Sequence, residues 1–248
     1  MAGHSKWANI KHRKDAQDVK RGKIFTKLIR EITVAARIGG EDISANPRLR
    51  TAVQAARSQS MPKDTIDKAI KRGAGNLEGV NYSEVRFEGY GPAGVAVIVD
   101  TLTDNNNRTV ADVRHIFSRC GGNLGTSGCV AYLFEQKGQI LFQGVDEDAL
   151  MEAALSAGAD DIQVDEGTLE VLTTPERLEE VREALAHAGF DQPVAVEIAM
   201  IPQDSVTIND LKKAESLLKM MDLLEDYDDV QKVYANFDLP PDIMAQLG

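Results

Sequence analysis

The stretch QILFQGVDEDALMEAALSAGADDIQVDEGTLEVLTTPERLEEVREALAHAGFDQPVAVEIAMI, residues 139–201, decides the fold. Runs rich in β-branched and apolar residues at 139–142, 162–164, 169–172 and 194–201 predict strands. Between them, 147–157 and 175–188 carry apolar residues at helical steps, the second with a proline at its start. The order strand-helix-strand-strand-helix-strand is the split βαβ, ferredoxin-like pattern.

Outward from this stretch, 85–89 and 95–102 predict a hairpin closed by GYGPAG, residues 89–94. A helix over 108–120 follows, with Asn107 as its expected cap. Next come the loop GGNLGTSG (121–128) and a strand over 129–134. Beyond the stretch, 210–224 predicts a helix and 230–237 a strand. These two have no neighbours of their own, so they are expected to complete the sheet begun before it. The predicted organisation is α plus α/β in several domains: a three-helix N-terminal bundle over 1–78, a middle domain of 79–134 plus 203–248, and an inserted domain over 135–202. Both later domains are expected to be small, ferredoxin-like α/β units.

The first part reads differently. After a polar arm, QDVKRGKIFTKLIREITVAARI (17–38) places Phe25, Leu28, Ile29, Ile32 and Ala36 on one face of a helix that Gly39-Gly40 stops. Asn46-Pro47 opens a second helix, and a third runs to Gly73. The net charge of −11 argues against a nucleic-acid partner until it is divided along the chain. Residues 1–78 hold 17 Lys and Arg against 8 Asp and Glu, whereas 79–248 hold 11 against 31. Such asymmetry points to a nucleic-acid or membrane contact, and repulsion from the acidic part is largely screened beyond about 8 Å.

Within the basic part, Lys20, Lys23, Lys27, Arg30 and Arg37 fall on one stripe of the first helix, opposite its apolar face, with only Glu31 nearby. The arm adds Lys6, Lys11, Arg13 and Lys14, with Trp7 and His12 among them. A basic arm can follow a phosphate backbone, and an aromatic ring there can stack on a base. Arg50 and Arg57 extend the surface on the second helix, and Lys68, Lys71 and Arg72 on the third, diluted by Asp64 and Asp67. A solvated helix face is the competing reading, but ordinary solvated faces mix both signs. On this reading about five to eight phosphate contacts give a log–log salt slope of roughly −4 to −7. Exchanging Lys23, Lys27 and Arg30 for Glu is then expected to abolish binding and leave the fold intact.

At this point the residues resemble a known family. AGHSKWANIKHRKDAQDVKRGKIFTKLIREI, GYGPAG, TDNNNRTVADVRHIF and GGNLGTSGCVAYLFEQKG are similar, in order and over essentially the whole chain, to the YebC family of transcriptional regulatory proteins. The resemblance implies a three-domain α/β protein with a helical first domain and cytoplasmic DNA binding in gene regulation. Mitochondrial relatives look like translational activators, and some bacterial members act on ribosomes stalled at proline-rich sequence. Many members read DNRNR where this chain has Asp104 to Arg108, so Asn106 stands in place of a basic residue.

Other chemistry is thinly represented. Arg108, His115 and Arg119 are expected on the exposed side of their helix, as an extension of the basic surface or as solvated side chains. Gly121, Gly122, Gly125 and Gly128 lack the Gly-Lys-Ser/Thr of a Walker motif and read as a flexible loop. Asp100, Asp104 and Asp112 raise a metal-dependent nuclease as the enzymatic alternative, but they fall on different faces and no histidine or lysine is fixed beside them. Cys120 and Cys129 read as small apolar residues, since no further ligands complete a zinc site. The acidic run 225–229 lacks the spacing of a calcium loop and reads as a solvated turn that repels nucleic acid. No apolar run approaches the roughly 18 residues that span a bilayer. The expectation is a cytoplasmic, non-enzymatic nucleic-acid-binding protein without cofactor, metal, membrane contact or small-molecule substrate, its partner DNA or ribosomal RNA and the ribosome itself a candidate.

Overall fold

The structure, a computed structural model, describes residues 19–75, 81–165 and 167–247, with backbone alone at 19–21 and 165. It begins with three helices, α1 (Val19–Gly39), α2 (Pro47–Ser58) and α3 (Lys63–Gly73). Ile32, Ala35 and Ala36 of α1 pack with Leu49, Ala52, Val53 and Ala56 of α2 and Ile66, Ala69 and Ile70 of α3. Asn46 joins the first two helices. Its carboxamide oxygen accepts from Leu49 N at 3.0 Å, capping α2, while its Nδ2 donates to Ala35 O and Gly40 O, both at 2.8 Å. Gly73 lets α3 cross α1 closely, because a Cβ there would stand 2.2 Å from Thr33 O.

A first sheet follows, its strands in the spatial order Asn123–Leu124, Ser83–Tyr90, Ala96–Thr103 and Val230–Ala235. β1 (Ser83–Tyr90) and β2 (Ala96–Thr103) form the expected hairpin, in register from Ser83 opposite Thr103 to Tyr90 opposite Ala96. α4 (Asn106–Arg119) leads to β3 (Asn123–Leu124), a two-residue strand on the far edge of β1. The second sheet is built wholly within 134–202 from β4 (Phe134–Gln143), β5 (Asp161–Asp165), β6 (Thr168–Thr173) and β7 (Ala195–Pro202). Its order, β5-β6-β4-β7, is antiparallel throughout and is that of the split βαβ unit. α5 (Glu147–Ser156) and α6 (Leu178–His187) cover one of its faces. The chain then returns through β8 (Val206–Thr207) and α7 (Leu211–Glu225) to β9 (Val230–Ala235), which completes the first sheet beside β2. β10 (Phe237–Asp238) pairs in parallel with β8, and α8 (Pro241–Leu247) follows. The first sheet thus has a hairpin-first order, and only the second runs as a split βαβ.

β2 explains how the sheets adhere. Its run AVIVDTLT is almost continuously buried because its two faces serve two cores. Val97 and Val99 face α4 and α7, meeting Val113, Phe117 and Leu217. Ala96 and Ile98 face the second sheet, meeting Phe134, Leu172, Ala199 and Ile201.

Three local expectations are corrected. The apolar run before β4 is not a strand: Ala131–Leu133 is a single 3-10 turn, and β4 starts at Phe134. The cap of α4 is Asn105, whose side chain accepts from Arg108 N at 3.1 Å, so the helix begins two residues earlier than a cap at Asn107 allows. The glycine-rich loop is close-packed rather than loose, as a Cβ on Gly122 would stand 2.6 Å from Tyr90 O.

Candidate nucleic-acid interface

Three cations of the basic stripe of α1, Lys23, Lys27 and Arg30, point at the first sheet and the turn before its last strand. Lys23 Nζ donates to Asp226 O at 3.2 Å and lies 3.5 Å from its carboxylate, and Lys27 Nζ donates to Glu225 O at 2.5 Å. Arg30 Nη1 reaches Leu102 O at 3.1 Å, Asp228 O at 2.7 Å and Asp229 Oδ1 at 2.5 Å, with its guanidinium 5.3 Å from the Tyr82 ring centre. Glu225 and Asp226 end α7, where the last carbonyls of a helix have no intrahelical partner and carry partial negative charge. Lys23 and Lys27 of α1 therefore add side-chain donors at the C-terminal end of α7, and Arg30 bonds the turn just beyond it. The expectation of an open stripe is corrected at these residues. So is the solvated acidic turn, because residues 225–229 are the seat on which α1 rests. Glu exchanges at 23, 27 and 30 would remove these ties as well as the charge, so a loss of binding in that variant would not by itself report phosphate contacts.

Asp229 is the centre of the contact and is 2% exposed. Besides Arg30, it accepts from Arg108 Nη2 at 2.8 Å, Thr109 Oγ1 at 2.6 Å and Thr103 Oγ1 at 3.1 Å. Burial alone would push its carboxyl up, but the donors from Arg108, Thr109 and Arg30 outweigh burial and hold it at about 2. Arg48 makes a second tie, bidentate to Glu31 at 2.7 and 3.1 Å and reaching Glu84 of β1 at 2.5 Å.

The remaining predicted cations fall into two groups. Lys6, Trp7, Lys11, Arg13 and Lys14 lie outside the described residues, as does the side chain of Lys20. Arg37, Arg50, Arg57, Lys68, Lys71 and Arg72 are all exposed. Arg50 also donates to Ile43 O at 3.2 Å and Ser44 O at 3.0 Å, bracing the turn before α2. Arg37, Arg57, Lys71 and Arg72 sit in the last turns of their own helices, where positive charge is also locally favourable.

The carboxylates considered for a nuclease are held apart by separate partners. Asp100 pairs with Arg86 at 2.6 and 2.9 Å, Asp104 with Arg108 at 2.7 Å, and Asp112 accepts from the Tyr227 hydroxyl at 2.7 Å. Among the described residues, no group of three His, Cys, Asp or Glu side chains stands close enough to hold a metal ion. Arg108 is part of the Asp229 contact, while His115 and Arg119 are exposed. Cys120 is buried, Cys129 half-buried, and both are free thiols. No helix of the described residues is long and apolar enough to cross a membrane.

Two features escaped the sequence reading. One is the pairing of Asp229 with Arg30, 199 residues apart. The other is Glu88, 4% exposed, whose carboxylate accepts the backbone N–H of Gly128 at 2.8 Å, Val130 at 2.9 Å and Ala131 at 2.8 Å. The loop does bind an anion through its backbone, and that anion is the protein's own side chain. Glu88 continues the alternation of Glu84 and Arg86 along β1, so its burial left no mark in the sequence.

Fold and surface together define a class: a helical unit rich in exposed cations, docked on an α/β sheet into which a second α/β unit is inserted. The chain belongs to the TACO1/YebC family. Residues 5–76 match its model "TACO1/YebC protein N-terminal domain" and residues 82–237 match "TACO1/YebC second and third domain". It is 62% identical to a "Probable transcriptional regulatory protein" of Magnetococcus marinus and 61% identical to "Transcriptional regulatory protein PmpR" of Pseudomonas aeruginosa, each over 100% of both chains. The crystal structure of a conserved hypothetical protein from Aquifex aeolicus superposes with a TM-score of 0.85 at 49% identity, covering 92% of this chain and 94% of that one.

Proposed function

We propose that this protein is a non-enzymatic, cytoplasmic regulator of transcription that binds DNA through its helical unit and the arm before it. The observation that carries this reading is the set of exposed cations Arg50, Arg57, Lys68, Lys71 and Arg72 on α2 and α3, with Arg37 closing α1. The names of the Magnetococcus and Pseudomonas relatives support the regulatory role. In this reading Lys6, Trp7, Lys11, Arg13, Lys14 and Lys20 extend the same surface. Lys23, Lys27 and Arg30 instead fix how that surface is carried on the first sheet.

The test is a salt titration of a fluorescent 20-base-pair duplex with the full chain and with the triple variant K68E/K71E/R72E. Those side chains are exposed, so the fold should persist with melting only slightly lowered, because reversing Lys71 and Arg72 in the last turn of α3 costs about 0.3–1 kcal/mol each. Affinity should fall, and the log–log salt slope should shrink by about 0.9 for each phosphate contact removed. Unchanged affinity and slope would reject the surface. Sedimentation of native lysate tests the partner: recovery on chromosomal DNA fits a transcriptional regulator. Co-migration with ribosomes, lost at high salt, would assign the basic surface to ribosomal RNA and a role in translation.

A further inference from the structure

The GYGPAG turn and the GGNLGTSGCVAYLF stretch, far apart in sequence, are assembled into one surface at the end of the first sheet away from α1. Tyr90 closes β1, and its hydroxyl donates to Cys129 O at 3.2 Å. Tyr132 lies in the 3-10 turn Ala131–Leu133, three residues beyond the carbonyl that Tyr90 bonds. Tyr132 is 67% exposed and Tyr90 37%, although large aromatic side chains ordinarily bury most of their surface.

The backbone beneath them is fixed. Glu88 takes three N–H groups of the loop, Gly125 N donates to Glu88 O at 2.8 Å, and Asn123 and Leu124 pair with Tyr90 and Gly89. Gly125 passes so close to Cys129 that a Cβ would stand 2.5 Å from its Sγ. Positive charge stands at the root of the loop. Exposed Arg119 ends α4 immediately before the loop, and exposed Lys219 neighbours Met220, whose Cε would stand 2.7 Å from a Cβ on Gly91.

We infer that Tyr132 and Tyr90 form a stacking platform for unstacked nucleobases, with Arg119 and Lys219 placed for the adjoining phosphates. Exposed rings on a rigid backbone beside cations are what single strands require, since any base offers a π-face and the cations hold the backbone. The inference rests on the nucleic-acid reading above and adds a second contact of different chemistry. The helical unit would grip phosphates, whereas this end would select strands whose bases are open.

The experiment measures binding of fluorescein-labelled 12-mer oligouridylate, its deoxy counterpart and the 20-base-pair duplex to the full chain. The variants are Y132L, Y132F and the K68E/K71E/R72E triple. Y132L should weaken single-strand binding roughly 5- to 160-fold, the loss of one stacked base, and leave duplex binding unchanged. Y132F keeps the ring and should bind like the parent. A larger loss with the ribose strand than with the deoxyribose strand would assign the platform to RNA, and equal losses to bases as such. Equal single-strand binding by Y132L and parent, with the duplex still bound, would overturn the platform alone. A Y132L change in sedimentation without a change in oligonucleotide binding would also overturn it and mark a protein contact. Failure of the parent chain to bind any of the three probes would overturn both readings.

Discussion

Asp229, in the turn that leads into β9, and Glu88, on β1, are both buried acidic side chains, one near each end of the first sheet, and they are satisfied in opposite ways. Asp229 gathers side chains from afar, its donors Thr109, Arg108, Thr103 and Arg30 standing 120, 121, 126 and 199 residues away. Glu88 gathers backbone N–H groups from one loop, 40, 42 and 43 residues away. The first arrangement holds two structural units together, and the second shapes a surface within one. A buried carboxylate thus serves assembly when one of its donors is a cationic side chain from another unit, and local shape when all are peptide groups already fixed in the backbone.

The largest break in this comparison is D229A. It leaves Arg30 and Arg108 without their buried partner and should cost about 3–5 kcal/mol in denaturant unfolding. Amide exchange in α1 should rise in the same variant, because the helix loses its seat; unchanged α1 protection would refute the docking role. E88Q should cost less, about 1.5–3 kcal/mol, as three hydrogen bonds to a charged acceptor become bonds to a carboxamide that also presents donors. Its added exchange should be confined to residues 128–131, and a loss spread into α1 would erase the distinction between the two sites.

The smallest expected effect is with pH. Burial raises both carboxyls, but the donors win, holding Asp229 at about 2 and Glu88 below its ordinary value. The unfolded chain titrates near 4, so it takes up protons first as acid is added. The stabilisation from both groups is complete above that pH. It declines as pH falls, and Asp229 continues to lose its share down to about pH 2. Melting curves between pH 5 and 2.5 should fall less steeply for E88Q and D229A than for the parent, and parallel curves would contradict the assignment.

The legible parts of the fold were those whose signals are local. Residues 139–201 declared the split βαβ order because each strand and helix carries its own period, and Asn46-Pro47 announced a helix start that Asn46 does cap. The cation stripe of α1 was equally legible as charge. Its destination was not, because a helical projection shows which face is basic but not that another helix ends opposite it. The segment before β4 failed for a related reason. Cys129 to Phe134 has the composition of a strand, yet Val130 and Ala131 give their N–H groups to Glu88 and have none left for a ladder. The platform was hidden likewise, since Tyr90 and Tyr132 read singly as ordinary aromatic residues.

The seat of α1 also sets a clock. Arg30 is made early and Asp229 is made 199 residues later. At synthesis rates of 5–20 residues per second the interval is about 10–40 s. Throughout it the three-helix unit can fold on its own core, while the carbonyls and carboxylates of residues 225–229 that receive Lys23, Lys27 and Arg30 have yet to be made. A newly made chain therefore presents a more basic helix than the finished one, and only completion of the last strand of the first sheet withdraws it.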